Sequence, residues 1–532
     1  MQRVTASLNL NPSFLDDHLK FNLNAKGMYI FNQYADGVEG SALDLDPSQP
    51  IRSEDSQYIG FGGYYQRTAT GAYEDSDPTW ALTKNSQSTG NPVAALDKNI
   101  KDNHAHSGAF VGNLEADYAI HGLEDLHLHA NFGADYSYGN QTQTISPYSF
   151  GNHYYGWDEW SKEHKYNLQF NCYAQYGHDW EKAQQHFDAM VGYEWQHFKK
   201  WGEWAGQGAY RETSLKMDEA GNSLAGQPYN AQGSPWASES YLVSFFGRVN
   251  WVGWNQVMLT ATVRGDGSSR FAPGKKWGIF PSVALGWKIK ETFFKDNADL
   301  SEWKLRLGYG VTGQQNINQG DYPYLPTYTV SKEHVNYTLG EVDANGNYIY
   351  YGSWRPNVYS SDLTWEKTTT YNVGMDFGFL NQRITFALDY YFRNTTDLIN
   401  EVDIPSGTNF KTRAVKNVGS LHNQGLELMF NAVAIDRKNL KWDLGFNATW
   451  NTNQITKLIT GDSEGYYINT GGINDGQYVQ AHAVGHAASS FYVFETAKNP
   501  KTGEVYIVDQ QNPEALPSDA GYEISAEKDK IF

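Results

Sequence analysis

The 532-residue sequence contains a single cysteine, Cys172, which excludes a disulfide framework and a zinc site built from cysteines. Its 60 aspartates and glutamates outnumber its 41 lysines and arginines, and the formal charge is −19. This balance argues against nucleic acid as a partner, because phosphate binding needs a basic surface. The sequence has neither an H-E-x-x-H motif nor a Walker A loop. We therefore expect no catalysis, no cofactor and no resident metal.

Long apolar runs are also missing. No run approaches the roughly 18 residues that a transmembrane helix needs. The first residues, MQRVTASLNL, lack the uninterrupted apolar core and the cleavage site of a signal peptide. Taken alone, these absences would indicate a cytoplasmic protein, but the strand pattern overturns that interpretation.

What the sequence does have is aromatic residues, at 15% of the chain, and a strict alternation of apolar and polar positions. In residues 440–450, for example, Leu440, Trp442 and Leu444 alternate with Lys441 and Asp443. A period of two is typical of strands whose two faces meet different surroundings. We predict fourteen such strands, with apolar segments at residues 4–10, 21–25, 112–120, 126–136, 166–176, 187–195, 241–251, 257–263, 283–289, 303–311, 371–379, 384–392, 426–434 and 440–450.

The links between these segments alternate between short and long without exception. A soluble β-sandwich has no reason to sort its loops in this way, whereas a transmembrane β-barrel has short periplasmic turns and long extracellular loops. The sequence thus predicts an all-β fold, an antiparallel transmembrane β-barrel in the outer membrane of a Gram-negative cell. Buried core aromatics of a soluble sandwich remain the alternative.

The two faces of the predicted strands differ in charge. The apolar face carries no Lys, Arg, Asp or Glu in any of the fourteen segments, as expected of contact with outer-membrane lipid. The opposite face carries Lys304, Arg306, Asp376, Asp389 and Glu427, which indicates a lumen wide enough for water. Aromatic rings gather near the short turns, which suits an interfacial girdle. These rings are Trp180, Trp251, Trp254, Phe293, Phe294, Trp303, Phe379 and Trp442.

The predicted topology also indicates on which side of the membrane the first and last strands have their free ends. If the short turns are periplasmic, the first strand starts outside and the last one ends there, whereas bacterial barrels normally begin and end in the periplasm. We therefore expect at least one further strand at each end. Residues 1–532 would then be part of a barrel domain.

Six blocks of sequence carry a family resemblance. They lie at residues 18–27, 91–94, 264–287 (RGDGSSRFAPGKKWGIFPSVALGW), 304–317, 363–399 and 417–432 (NVGSLHNQGLELMFNA). In this order they resemble the SusC/RagA-type TonB-dependent outer-membrane transporters of Bacteroidota. The resemblance implies a barrel of about 22 strands, an N-terminal plug preceded by a TonB-contacting segment, and import of an oligosaccharide or a peptide. It also implies a SusD-like surface lipoprotein and the TonB complex as partners. No residue of this chain matches the plug or the TonB contact.

Aromatic residues in the long links are the candidate ligand-binding residues. Flat rings beside hydrogen-bonding groups suit a sugar, whose C–H faces stack on the rings while its hydroxyls need partners. Packing of the loops against each other, or contact with the lipoprotein, would explain the same rings. The candidates are Tyr154, Tyr155, Trp157, Trp160, Trp201, Trp204, Trp236, Tyr322, Tyr324 and Trp354.

One histidine pair raises the question of a metal. His127 and His129 lie two residues apart on one strand, so both project into the predicted lumen, where they can share a metal ion. The sequence offers no evident third ligand, and a polar lumen wall is the favoured interpretation.

Three functions remain open at this stage. The favoured one is energy-coupled import. A passive porin would need neither a plug nor a partner, and a soluble surface protein that binds glycans would need no lipid-facing side.

Overall fold

The structure is a computed structural model that describes residues 1–35, 37–66, 89–149, 156–210, 222–315, 320–330, 336–404, 413–458, 466–474, 477–519, 522 and 530–531. Fourteen long strands in these residues follow one another in chain order within the main sheet. They are β1 (Gln2–Leu10), β2 (Leu19–Gln33), β3 (Lys101–Ala119), β4 (Leu126–Ile145), β5 (Trp157–Trp180), β6 (Gln185–Ala209), β7 (Trp236–Gly253), β8 (Val257–Ser268), β9 (Trp277–Lys288), β10 (Leu300–Gln314), β11 (Glu366–Phe379), β12 (Ile384–Asp403), β13 (Arg413–Arg437) and β14 (Leu440–Lys457). Twelve of them contain a predicted segment whole, and β3 and β9 contain all but the last residue of 112–120 and 283–289, so the predicted strands are confirmed.

The chain divides into two compact units, Met1–Cys172 with Glu194–Tyr241, and Tyr173–Tyr193 with Leu242–Phe532. In the first unit, β1 to β4 pair antiparallel with their neighbours in sequence. In the second, β8 to β14 and the part of β7 from Leu242 onward do the same. Leu114 of β3 lies opposite Leu23 of β2 and Phe132 of β4, so apolar residues collect on one face.

The strands run beyond the predicted apolar segments at the ends joined by the long links. β5 begins at Trp157, well before the apolar segment 166–176, and β6 continues to Ala209, well after the segment 187–195. Backbone pairing continues there because the ladder is built from main-chain N–H and C=O groups and does not need an apolar face. Because strands extend in this way, the link between β8 and β9 (269–276), predicted to be long, is shorter than the link between β9 and β10 (289–299), predicted to be short. The sorting of links by length therefore has an exception at this pair.

The remaining strands are short. Ser13–Phe14 pairs with β2 and Pro228–Gln232 with β6, while Tyr328–Val330 pairs with Trp354–Pro356 and Asn336–Val342 with Tyr348–Gly352. Towards the C-terminus, Tyr467–Asn474, Gln477–Ala483, Ser490–Val493 and Lys530–Ile531 form a small sheet, and Thr496–Lys498 pairs with Val505–Ile507.

Helices are few and short among the described residues. They are α1 (Val38–Asp44), α2 (Pro92–Leu96) and α3 (Ile289–Phe293), with 3₁₀ turns at Ser56–Phe61 and Glu181–Ala183. Asn91 begins α2, because its side chain accepts hydrogen bonds from the backbone N–H groups of Val93 and Ala94 and Pro92 follows it. None of the helices described is both apolar enough and long enough to span a bilayer.

Buried apolar side chains form two clusters among the described residues, both next to long links. One, in the second unit, consists of Phe271, Phe280, Leu363, Trp365 and Val415. The other consists of Tyr64, Ala94 and Ile100, in the link between β2 and β3. By contrast, apolar residues in the middle of the strands, such as Leu114 and Val191, are exposed. The sheet therefore presents an apolar face that the chain itself does not cover.

Candidate functional site

Trp157 is the most deeply buried of the predicted binding residues that the structure describes. It is 5% exposed at the start of β5, and its ring stacks on Tyr229 at a centroid distance of 6.1 Å. Its indole N–H donates to Glu159 over 3.0 Å. Its ring is therefore packed against other residues of the chain, as the packing alternative predicts. Tyr154 and Tyr155 lie outside the described residues.

Trp201 and Trp160 lie on strands rather than in loops. Trp201, on β6, stacks on His164 of β5 at 5.0 Å and meets the edge of Tyr166 at 5.8 Å. Tyr166 begins an apolar segment, so Trp201 lies on the face that the sequence assigns to lipid rather than on the lumen face. The ammonium group of Lys162 lies 4.6 Å from the ring centre of Trp160. Neither position is the free loop that the sequence analysis assumed.

A shallow pocket of about 590 Å³ opens beside Trp201. Lys162, His164, Lys199 and Trp236 contribute to its lining. The pocket therefore combines aromatic surface with basic groups.

Next to this pocket, a hydrogen-bonded group joins the middle of β6 to the start of β7. Tyr241 and His197 both contact the same Glu239 carboxylate oxygen, at 2.9 and 2.7 Å. The hydrogen bond from Tyr241, and then the one from His197, lowers the pKa of Glu239 below its usual range. Glu239 therefore stays ionised and holds the His197 ring stacked on Tyr241 at 4.2 Å.

Trp204 and Trp236 each pack against a glycine. A Cβ atom at Gly233 would lie 1.9 Å from the indole nitrogen of Trp204, and one at Gly202 would lie 2.9 Å from the ring of Trp236. The absent side chains thus provide the space that these two rings occupy. Lys200 lies 5.3 Å from the ring centre of Trp236, and both tryptophans remain partly exposed.

Tyr322, Tyr324 and Trp354 belong to the second unit. The rings of Tyr322 and Tyr324 meet edge to face at 6.3 Å. Trp354, in the strand Trp354–Pro356, is 66% exposed, the largest exposure among the predicted binding residues that the structure describes. It is thus well placed to contact a molecule from outside the chain.

A charged network crosses the polar face of three strands in the second unit. Arg306 of β10 donates paired hydrogen bonds to Asp376 of β11 and to Asp389 of β12, all at 2.8 Å. Arg306 can reach β12 because Gly374 lies between it and Asp389 in register. A Cβ atom at Gly374 would lie 2.4 Å from the Asp389 carboxylate.

A second polar cluster lies in the first unit, and the sequence predicted only its two histidines. Asp117 of β3 meets His127 of β4 at 3.1 Å and His129 at 2.7 Å. The third group, which sequence reasoning did not find, comes from the neighbouring strand.

Comparison with known proteins identifies the family. The model of the TonB-dependent receptor-like β-barrel matches residues 31–501. This chain belongs to that family. It is 46% identical to the TonB-dependent receptor SusC of Bacteroides thetaiotaomicron over 98% of this chain and 50% of SusC. The chain thus spans about half the length of this curated relative.

Two solved structures share the fold of this TonB-dependent receptor barrel. The RagAB peptide importer in its closed-closed state gives a TM-score of 0.69 at 22% identity, covering 97% of this chain and 53% of the other. The open-open state gives 0.68 at 22% identity, covering 94% and 50%. The resemblance to SusC/RagA-type transporters and the all-β barrel fold are therefore confirmed.

Membership of this family places the protein in the outer membrane and explains its exposed apolar face. Phe132, Val191, Leu307 and Phe446 project from the middle of the apolar segments with exposures between 38% and 66%. Such a continuous apolar surface would be unfavourable in water, and lipid covers it in a membrane barrel. The soluble sandwich is thereby excluded.

The family is a receptor and transporter family, not an enzyme family. Two short sequence patterns that are typical of dinucleotide-binding proteins and of serine hydrolases also occur in this chain. Gly308-Tyr-Gly-Val-Thr-Gly313 has the spacing of a dinucleotide-binding loop, but it lies inside β10, and the described residues between β10 and β11 form no helix. The G-x-S-x-G pattern at residues 461–465 lies outside the described residues.

We expect that Arg306→Met destabilises the barrel by about 1–3 kcal/mol, because it leaves two carboxylates side by side without their cation. The expected destabilisation is smaller than that for a fully buried ion pair, because the three side chains are between 20% and 33% exposed. Denaturant unfolding followed by tryptophan fluorescence measures the change. The triple variant Arg306→Met/Asp376→Asn/Asp389→Asn should recover most of the loss, and Lys304→Met, on the same face, should cost much less. A triple variant as unstable as the single one would contradict the network.

Proposed function

We propose that the protein imports an oligosaccharide or a peptide across the outer membrane, in an energy-dependent step powered by the TonB complex. The observation that carries this proposal is the 46% identity with a TonB-dependent receptor over 98% of the chain. A fold shared with a structure described as a peptide importer adds support for the transport class. Import fits a barrel wall whose inner face is charged and hydrogen-bonded, as at Arg306.

We further propose that a SusD-like lipoprotein covers the end of the barrel where the long links lie. Trp354, Tyr322 and Tyr324 lie in one of these links, in the unit that also contains the buried cluster around Trp365. Trp354 is the first candidate for ligand or lipoprotein contact, because it is exposed and belongs to a paired strand. Trp157, already packed on Tyr229, is the last. We assign no residue of this chain to the TonB contact, and the domain assignment of residues 1–532 as part of a barrel stays a prediction.

Transport can be tested in the native bacterium by deleting the gene and restoring it. Oligosaccharide and peptide mixtures are supplied, and their depletion from the medium is followed by mass spectrometry. We expect one of the two classes to disappear only when the gene is present, and its uptake to stop when a protonophore collapses the proton-motive force. Deleting the gene of the lipoprotein should reduce the same uptake.

Two outcomes would overturn the proposal. Uptake that persists with the protonophore and rises in proportion to concentration would indicate a passive porin. Equal depletion with and without the gene would show that the protein imports neither class.

A further inference from the structure

The geometry points to a metal site on the polar face of the barrel wall: Asp117, His127 and His129 together bind one divalent transition-metal ion. This inference concerns side chains of the first unit only. It does not depend on the proposed import function.

The hairpin formed by β3 and β4 brings the three groups together. The link 120–125 sets the register so that Asp117 lies directly opposite His129, while His127 lies opposite Ala119. Because side chains alternate along a strand, His127 and His129 project from the same face, and Asp117 projects from that face too. This is the face opposite to Leu114 and Phe132, and therefore the polar one.

The three donor groups already converge. One Asp117 oxygen lies 3.1 Å from Nδ1 of His127, and the other lies 2.7 Å from Nδ1 of His129. One potential ligand atom from each residue lies within 4.8 Å of the others. The two imidazole rings are nearly parallel, with centroids 5.9 Å apart. Ligand atoms about 2.0–2.2 Å from a tetrahedral zinc ion are roughly 3.5 Å from one another. The three donor atoms are within 4.8 Å of one another, so small side-chain rotations suffice.

The donor set selects the kind of ion. Two imidazoles and one carboxylate suit zinc, copper, nickel or cobalt, whereas magnesium and calcium prefer oxygen ligands throughout. Three protein ligands leave at least one position for water, as in zinc sites that exchange their fourth ligand. The side chains of His127, Asp117 and His129 are 39%, 22% and 17% exposed, so an ion can reach them from the polar side.

The charges nearby are mixed, and one of them opposes the ion. Lys20 of β2 lies opposite Asp117 on its other side, where its ammonium group would disfavour a second cation. Glu115, two residues before Asp117 on the same face, offsets this charge. Replacing Lys20 should therefore tighten metal binding rather than weaken it.

Binding can be measured on the protein purified from membranes in detergent and stripped with a chelator. We expect calorimetric titration with zinc chloride to give one site per chain that magnesium does not fill. His127→Gln/His129→Gln should weaken it at least about 100-fold, and Asp117→Asn about 10-fold or more. Lys20→Gln should bind more tightly than the wild type. Cobalt in the same site should give the intense visible absorption of a four-coordinate ion.

The matched control is His104→Gln/His106→Gln. This pair has the same spacing on β3, but His106 contacts the Tyr29 hydroxyl at 2.5 Å and the pair is not part of a three-ligand cluster among the described residues. The control should keep the zinc site. Resistance of each variant to unfolding by detergent at room temperature establishes that it is folded.

The proposal is wrong if His127→Gln/His129→Gln binds zinc as tightly and in the same amount as the wild type. It is equally wrong if the wild-type protein takes up no zinc at micromolar concentration. In that case the aspartate serves only to hold the two histidines by hydrogen bonds.

Discussion

Leu114→Arg should destabilise the barrel by about 2–4 kcal/mol, the cost of an arginine on the lipid face near the middle of the bilayer. Leu114 is 46% exposed and lies between Leu23 and Phe132, so nothing polar is beside it in register. In lipid the guanidinium group would lack both water and a counter-ion. Urea unfolding in phospholipid vesicles, followed by tryptophan fluorescence, measures the loss.

The neighbouring residue provides the control. Asn113→Arg places the same side chain on the polar face, opposite Asn24 and Gly133, where the missing side chain of the glycine leaves room. It should change the free energy of unfolding by less than about 1 kcal/mol. Equal losses for the two variants would mean that the faces of β3 do not differ in their surroundings.

Phe271→Ala should cost about 3–5 kcal/mol, because it removes a fully buried ring and leaves a cavity. Phe271 is 0% exposed, and its ring centre lies 5.1 Å from that of Trp365. The indole N–H of Trp365 donates to the carbonyl of Lys276 over 2.8 Å, which ties the link 269–276 to the segment before β11. We expect this loss of stability to appear as local opening of these loops, which faster hydrogen exchange of their backbone amides would measure.

Phe491→Ala is the matched control in the same unit. Phe491 is 56% exposed, so its removal should leave the exchange of residues 269–276 unchanged. If Phe271→Ala also left that exchange unchanged, the cluster would not be what holds the loops.

The strands could be predicted from the sequence because lipid contact imposes a strict pattern. Residues 440–450 alternate without interruption, since every second side chain must be apolar. The true length of β5 could not be predicted, because the strict alternation stops before Tyr166: the face of Tyr166 continues with His164, Lys162 and Trp160. The buried cluster around Phe271 was also missed, because Leu363 and Trp365 approach it from a distant part of the chain.

The candidate site was predicted less well than the fold. Aromatic residues outside the apolar segments were assigned to loops, yet Trp201 lies on β6 and packs on His164. Whether any of the ten aromatic residues contacts a ligand stays a prediction. Asp117 could have been found, because the short link between His127 and β3 fixes the register of a hairpin. Spacing along one strand reveals only ligands on that strand.

The central claim is that one face of these strands meets lipid and the other meets water, and spin-label accessibility along β3 tests it most directly. The native Cys172 is replaced first, and single cysteines at positions 112–116 then carry the label. We predict that collisions with oxygen dominate at 112, 114 and 116, and that collisions with a water-soluble nickel chelate dominate at 113 and 115. Accessibility that does not alternate, or that alternates in the opposite phase, would contradict the account.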